Sequence, residues 1–154
     1  MDPLETAKQF FDACELQVLG WEGCRRYVAD GATFHSAAAS YASIHTIEAY
    51  CEQIAAAFRT TFAGSTGHVH AAAYDAEHRT VLLYGDSCAQ HTGAGGPVPP
   101  THRQAVIPFV FALRMDAAGK IEHLEKIYDE ASGRRQLGWP HEVTAPAAQA
   151  QVPA

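Results

Sequence analysis

Residues 103–128 read RQAVIPFVFALRMDAAGKIEHLEKIY, two segments of alternating apolar residues around a turn, Asp116-Ala117-Ala118-Gly119. Apolar positions two apart line one face of a strand. The first segment therefore presents Ile107, Phe109, Phe111 and Leu113 together, and the second presents Leu124, Lys126 and Tyr128. A connection this short pairs the strands antiparallel. Working backwards, residues 79–92 and 67–74 have the same strand character, with turns at Asp75-Ala76-Glu77-His78 and from Gly93 to Pro100. Four consecutive strands form an antiparallel meander.

The N-terminal third has a different period. Leu4, Ala7, Phe11, Cys14 and Val18 recur at spacings of three and four, which predicts a helix over 3–19 with Asp2 as N-cap, Pro3 in its first turn and Glu5 closing a capping box. Gly20 stops it. Trp21, Cys24 and Val28 mark a short second helix ending near Asp30-Gly31, and residues 32–36 read as a short strand. Thr46 caps a third helix carrying Ile47, Tyr50, Cys51, Ile54 and Phe58, and Asp129 caps a last helical turn through Arg134 to Leu137. The expected class is α+β: a strongly curved, mostly antiparallel sheet with three helices on one face, enclosing a cone. One domain covers 1–139, and the Ala/Pro/Gln-rich segment 140–154, without periodicity, is expected to be a disordered tail.

The 154 residues are 47% hydrophobic and 18% charged, as in an ordinary globular protein, and the net charge of −6 gives no footprint for a phosphate backbone. No nucleic-acid partner is expected. No apolar stretch approaches the ~20 residues of a membrane span, and the acidic start, Met1-Asp2-Pro3-Leu4-Glu5, is unlike a signal peptide, so we expect no membrane partner and a cytoplasmic location. Cys14, Cys24, Cys51 and Cys88 form no CxxC pair and read as reduced core residues. Nine histidines supply no recognised ligand spacing and no HExxH, so no metal and no cofactor are expected. The loop Gly93–Pro100 joins two strands and is not a phosphate cradle; a lid or a dimer contact are its candidate roles.

Two stretches carry a resemblance. Gly20-Trp21-Glu22, through Tyr27-Val28-Ala29-Asp30-Gly31-Ala32-Thr33-Phe34, resembles the helix-to-strand entry of nuclear transport factor 2-like proteins. The ending, from Phe111 through Gly119-Lys120-Ile121 to Tyr128-Asp129 and Gln136-Leu137-Gly138-Trp139, is similar to the last hairpin and helix of SnoaL-like polyketide cyclases, ketosteroid isomerase and limonene-epoxide hydrolase. The resemblance spans about residues 4–139. It implies a small-molecule pocket lined by Phe34, Ser36, Phe109, Phe111, Leu113, Leu124 and Tyr128, with His91 at its mouth, and a homodimer. The isomerase's general-base aspartate falls at Ser36, its acid at Phe111 and its tyrosine near Asp12, so that enzyme's acid and base are not retained.

Lys126 is the leading candidate for chemistry, because a lysine desolvated between Leu124 and Tyr128 becomes a base or an amine nucleophile. The bland reading is a lysine paired with a carboxylate or snorkelling to the cone mouth. Asp86, in an apolar strand, reads as its partner or as a general acid/base, or else as an outward-facing acid. Asp12 has the same two readings on helix one. Tyr128 orients the substrate. The function expected is a cofactor-independent cyclase, lyase, isomerase or hydrolase working by acid/base chemistry on a small lipophilic molecule; the alternative is a non-catalytic ligand-binding or accessory protein of the same fold.

Overall fold

The structure, a computed structural model, describes residues 1–140, so the tail expected over 140–154 lies outside the described residues apart from Pro140. Five strands run β1 (Val28–His35), β2 (Thr66–Asp75), β3 (Thr80–Gln90), β4 (Gln104–Met115) and β5 (Ile121–Tyr128). The helices are α1 (Pro3–Phe11), α2 (Gly20–Cys24), α3 (Ile47–Arg59) and α4 (Glu130–Leu137). The sheet order is β1-β5-β4-β3-β2. The meander is antiparallel as its turns require, whereas β1 joins β5 in parallel, with Phe34 opposite Leu124. No described helix is long and apolar enough to cross a membrane.

The strand alternation separates two faces. Ile107, Phe109, Phe111, Leu113 and Met115 of β4 are buried on the inner face, with Val81 and Leu83 of β3 and Leu124 of β5. They meet Phe10, Phe11, Ile47, Tyr50 and Ile54 from the helices in one continuous core. The opposite face leaves Leu82, Tyr84, Val106 and Ile127 exposed. Register shifts in β2 between Val69 and Ala71, in β1 and in β4 bend the sheet around the helices.

The helix expected over 3–19 is corrected in two ways. Its regular part ends at Phe11, and Asp12–Leu16 continues as a π-helical turn. Glu5 does not close a capping box; its carboxylate accepts from Gln9, while Asp2 accepts from the Leu4 amide. Val18 then takes φ 55, a costly conformation for a β-branched residue. Val28, read as helical, opens β1, because the 3₁₀ turn Arg25–Tyr27 already ends the helical segment. Thr46 and Asp129 cap α3 and α4 as expected, accepting from the amides of Ala49 and Ser132.

β4 extends past the end of β5, and α4 covers the exposed edge. The Gln136 side chain accepts from the Val106 amide at 2.9 Å and donates to the Val106 carbonyl at 3.1 Å, completing a strand ladder with an amide side chain.

Gly85 sits on the inner face opposite the β2 bulge. A Cβ there would lie 2.0 Å from the His68 carbonyl oxygen and 2.9 Å from the Phe109 ring. Gly85→Ala is expected to lower stability by roughly 1–3 kcal/mol, read as a lower urea midpoint at unchanged slope, through overpacking of this curved region.

Candidate functional site

The cone is filled at its narrow end and hollow at its wide end. Leu113 and Leu124 are fully buried at the narrow end, and Phe34 stacks on Tyr50 with ring centroids 4.4 Å apart. These three, expected to line a pocket, are instead packed core. Ser36 is likewise buried outside the cavity, its hydroxyl accepting from the Ala38 amide at 3.3 Å. The open part is a cavity of about 180 Å³, and Phe109, Phe111 and Tyr128 line it as the strand alternation places them.

Lys126 is 8% exposed and its ammonium reaches into the cone. It donates to the Tyr50 hydroxyl at 2.8 Å and to the Tyr41 hydroxyl at 3.1 Å, and the rings of Tyr41, Tyr50, Phe111 and Tyr128 surround it at 4.9–5.5 Å. No carboxylate forms an ion pair with it among the described residues. Tyr50 passes the chain on by donating to Glu15. The result is an ordered line from ammonium to phenol to carboxylate. Tyr41 has no acceptor for its own proton among the described residues and faces the cavity.

Closer to the mouth, the Tyr128 hydroxyl donates to Glu130 at 2.8 Å and shares a hydrogen bond with Ser40 at 2.9 Å. The remaining walls are apolar, among them Phe11, Ile54, Phe58, Phe62 and Ile107. A ligand entering this space meets hydrocarbon on most sides and a cluster of donors and acceptors along one. Desolvation holds Tyr41, Tyr50 and Tyr128 in their neutral forms, pushing all three well above the ordinary tyrosine range, with the Glu15 charge reinforcing the effect at Tyr41 and Tyr50. They are hydrogen-bond donors here.

Asp86 and Asp12 are not part of this cluster. Asp86 has the opposite strand parity to Gly85 and Ser87, so it points out of the cone and accepts from or pairs with His70 Nε2 at 2.8 Å on the outer face. Asp12 is turned outward and bonds Gln17, while its neighbours Phe11 and Glu15 line the cavity. His91 is fully buried and lines no part of the cavity. Its Nδ1 accepts from the Trp139 indole at 3.0 Å, which leaves Nε2 to donate to the Gly95 carbonyl at 3.0 Å. His91 therefore braces the Gly93–Pro100 loop behind Trp139, and Trp139 forms part of the cavity wall.

Glu15, Tyr41 and Tyr50 are the residues that sequence reasoning missed. Tyr50 was legible as a core position of α3, and its hydroxyl, which needs a partner when buried, was the available signal. Glu15 lies four residues after Phe11, on the same helical face, and with Phe11 it lines the cavity. Nothing in the sequence marks Tyr41, which sits in a loop as part of a short 3₁₀ turn, Ala39–Tyr41.

The three tyrosines make stability fall at high pH. An acid whose folded pKa exceeds its unfolded value stabilises the fold fully below the unfolded pKa, near ~10 for tyrosine, and loses that contribution as pH rises from there toward the folded value. Each adds a slope of about 1.4 kcal/mol per pH unit above that point. In a spectrophotometric titration, three of the six tyrosines should ionise only on unfolding, and Tyr128→Phe should make the alkaline loss shallower.

No protein-family model matches the chain, and no curated protein matches it. Solved structures do match in shape. IdmH, a polyketide cyclase candidate from Streptomyces antibioticus, is 20% identical with TM-score 0.71, covering 90% of this chain and 99% of its own. A SnoaL-like polyketide cyclase candidate from Jannaschia sp. is 17% identical with TM-score 0.72, covering 90% and 92%. A nuclear transport factor 2-like protein from Burkholderia thailandensis is 17% identical with TM-score 0.68, covering 91% and 99%. The helices packed inside a curved five-stranded sheet, with β1 closing in parallel on β5, are thus the nuclear transport factor 2-like fold shared with these proteins.

Proposed function

We propose that this chain is a cofactor-independent enzyme that carries out acid/base chemistry on a small lipophilic molecule bearing an oxygen function. The observation that carries this reading is Lys126: a buried ammonium with no carboxylate partner among the described residues, at the polar side of an otherwise apolar cavity. Its charge polarises Tyr41 and Tyr50. Tyr41 donates its unpaired proton to a carbonyl, epoxide or lactone oxygen and stabilises the negative charge that develops there. Glu15, oriented by Tyr50, removes a proton from a substrate carbon or from water. Similarity in fold to two polyketide cyclase candidates supports cyclisation, with lyase, isomerase and hydrolase chemistry open to the same groups.

The volume limits the substrate. An apolar cavity of ~150 Å³ holds a benzene-sized molecule, so about 180 Å³ suits one ring or a short chain, with anything larger extending past Arg134 and Trp139 at the mouth. A second reading, a ligand-binding protein without chemistry, draws on the same ammonium being already held by two hydroxyls and four rings. We also infer that a second copy covers the outer sheet face, where Leu82, Tyr84, Val106 and Ile127 are 47–57% exposed; sedimentation at low concentration tests this, and a monomer would contradict it.

Small ketones, epoxides, lactones and phenols are the compounds to screen by thermal shift and by turnover, with wild type, Glu15→Gln and Tyr41→Phe. A ligand at ~100 times its dissociation constant stabilises by about 2.7 kcal/mol. We expect Glu15→Gln to keep that shift and lose roughly 10²-fold or more in kcat. Binding by wild type without turnover of any hit would establish the non-catalytic reading instead.

A further inference from the structure

Away from the cavity, three of the four cysteines converge. Cys14 comes from the π turn, Cys24 from the end of α2 and Cys51 from α3. All three are buried, at 0–1% exposure, and their sulfurs lie within 4.8 Å of one another, with Cys14 and Cys51 at 3.8 Å. Read along the chain they are separate core positions, spaced ten and twenty-seven residues apart. Only the fold gathers them.

The convergence coincides with a backbone distortion. The π turn Asp12–Leu16 and the positive φ of Val18 are both unfavourable, and such distortions concentrate at functional sites. The same turn that delivers Glu15 to the cavity delivers Cys14 to the other two thiols. We propose that Cys14, Cys24 and Cys51 form a binding site for one soft, monovalent, three-coordinate metal ion of the Cu(I) class.

Geometry and ligand softness both select that class. Soft metal–thiolate bonds near ~2.3 Å around one ion put sulfurs about 3.8–4.0 Å apart, which the Cys14–Cys51 separation of 3.8 Å matches. Thiolates favour Cu(I) and zinc among biological ions. Zinc wants a fourth ligand, and no histidine or carboxylate joins the cluster among the described residues. Thiolates rather than thiols ligate soft metals, so all three sulfurs bind in the deprotonated form. Binding forms three copper–sulfur bonds and releases the three thiol protons to solvent, with no change of oxidation state. A surface groove lined by Ala13, Gly23 and Arg26 flanks the segments that carry Cys14 and Cys24.

The test is titration of the full chain with Cu(I) under reducing, anaerobic conditions against a colorimetric Cu(I) chelator, with X-ray absorption of the loaded protein. The expected result is one Cu(I) per chain with three sulfur neighbours, unchanged by Cys88→Ser and weakened at least tenfold by Cys14→Ser or Cys51→Ser. Fewer than three sulfur neighbours in the wild-type spectrum, binding that survives both substitutions, or loss of binding in Cys88→Ser would overturn the assignment. The absorption spectrum needs no variant, so a substitution that fails to fold leaves the decision intact.

Discussion

The hydrogen bonds from the Lys126 ammonium to Tyr41 and Tyr50 join the two layers of the molecule. Lys126 rises from the sheet, Tyr50 descends from α3, and Tyr41 approaches from the loop after β1. A buried cation costs several kcal/mol unless polar groups receive it. Tyrosine hydroxyls receive it without cancelling its charge, and the aromatic faces around it add attraction of the kind a cation feels over a ring. The carboxylate that balances the charge, Glu15, stands one phenol away. That separation keeps an active electrostatic field at the cavity wall, where a direct ion pair would have neutralised it.

The rest of the fold holds this arrangement in place. The narrow end of the cone is packed solid by Leu113, Leu124, Met115 and Ile121, all essentially without exposure, so the cavity floor does not shift. The wide end is a separate small cluster: Ala105, Ile107 and Leu137, with Phe62, Tyr128 and Trp139 packed against them. His91 supports that wall in its neutral form, donating to the loop and accepting from Trp139. The histidine expected at the pocket mouth therefore works as a brace.

Sequence patterning located the four meander strands to within one or two residues, because a period of two between clear turns leaves little freedom, but it missed the first four residues of β1. It also placed Phe109, Phe111, Lys126 and Tyr128 on one face, since parity follows from the same period. For Asp86 the outward-facing of its two readings holds, as parity requires; an apolar strand exposed on its outer face had made an outward acid look misplaced. In the helical segment Glu15, four residues after Phe11 and on its face, was legible but passed over in favour of Asp12, which the structure turns outward to Gln17. The parallel docking of β1 on β5, and the meeting of three cysteines from three elements, are long-range facts that no local pattern records.

A crystal structure of the protein soaked with a one-ring phenol or lactone addresses the account at its centre. The ligand is predicted to lie between Phe11, Phe109 and Ile107 with its oxygen within hydrogen-bond distance of the Tyr41 hydroxyl, on the Lys126 side of the cavity. An oxygen pointing to Arg134 and the mouth, or a cone collapsed around empty space with Tyr41 turned away, would contradict the role assigned to the Lys126 cluster.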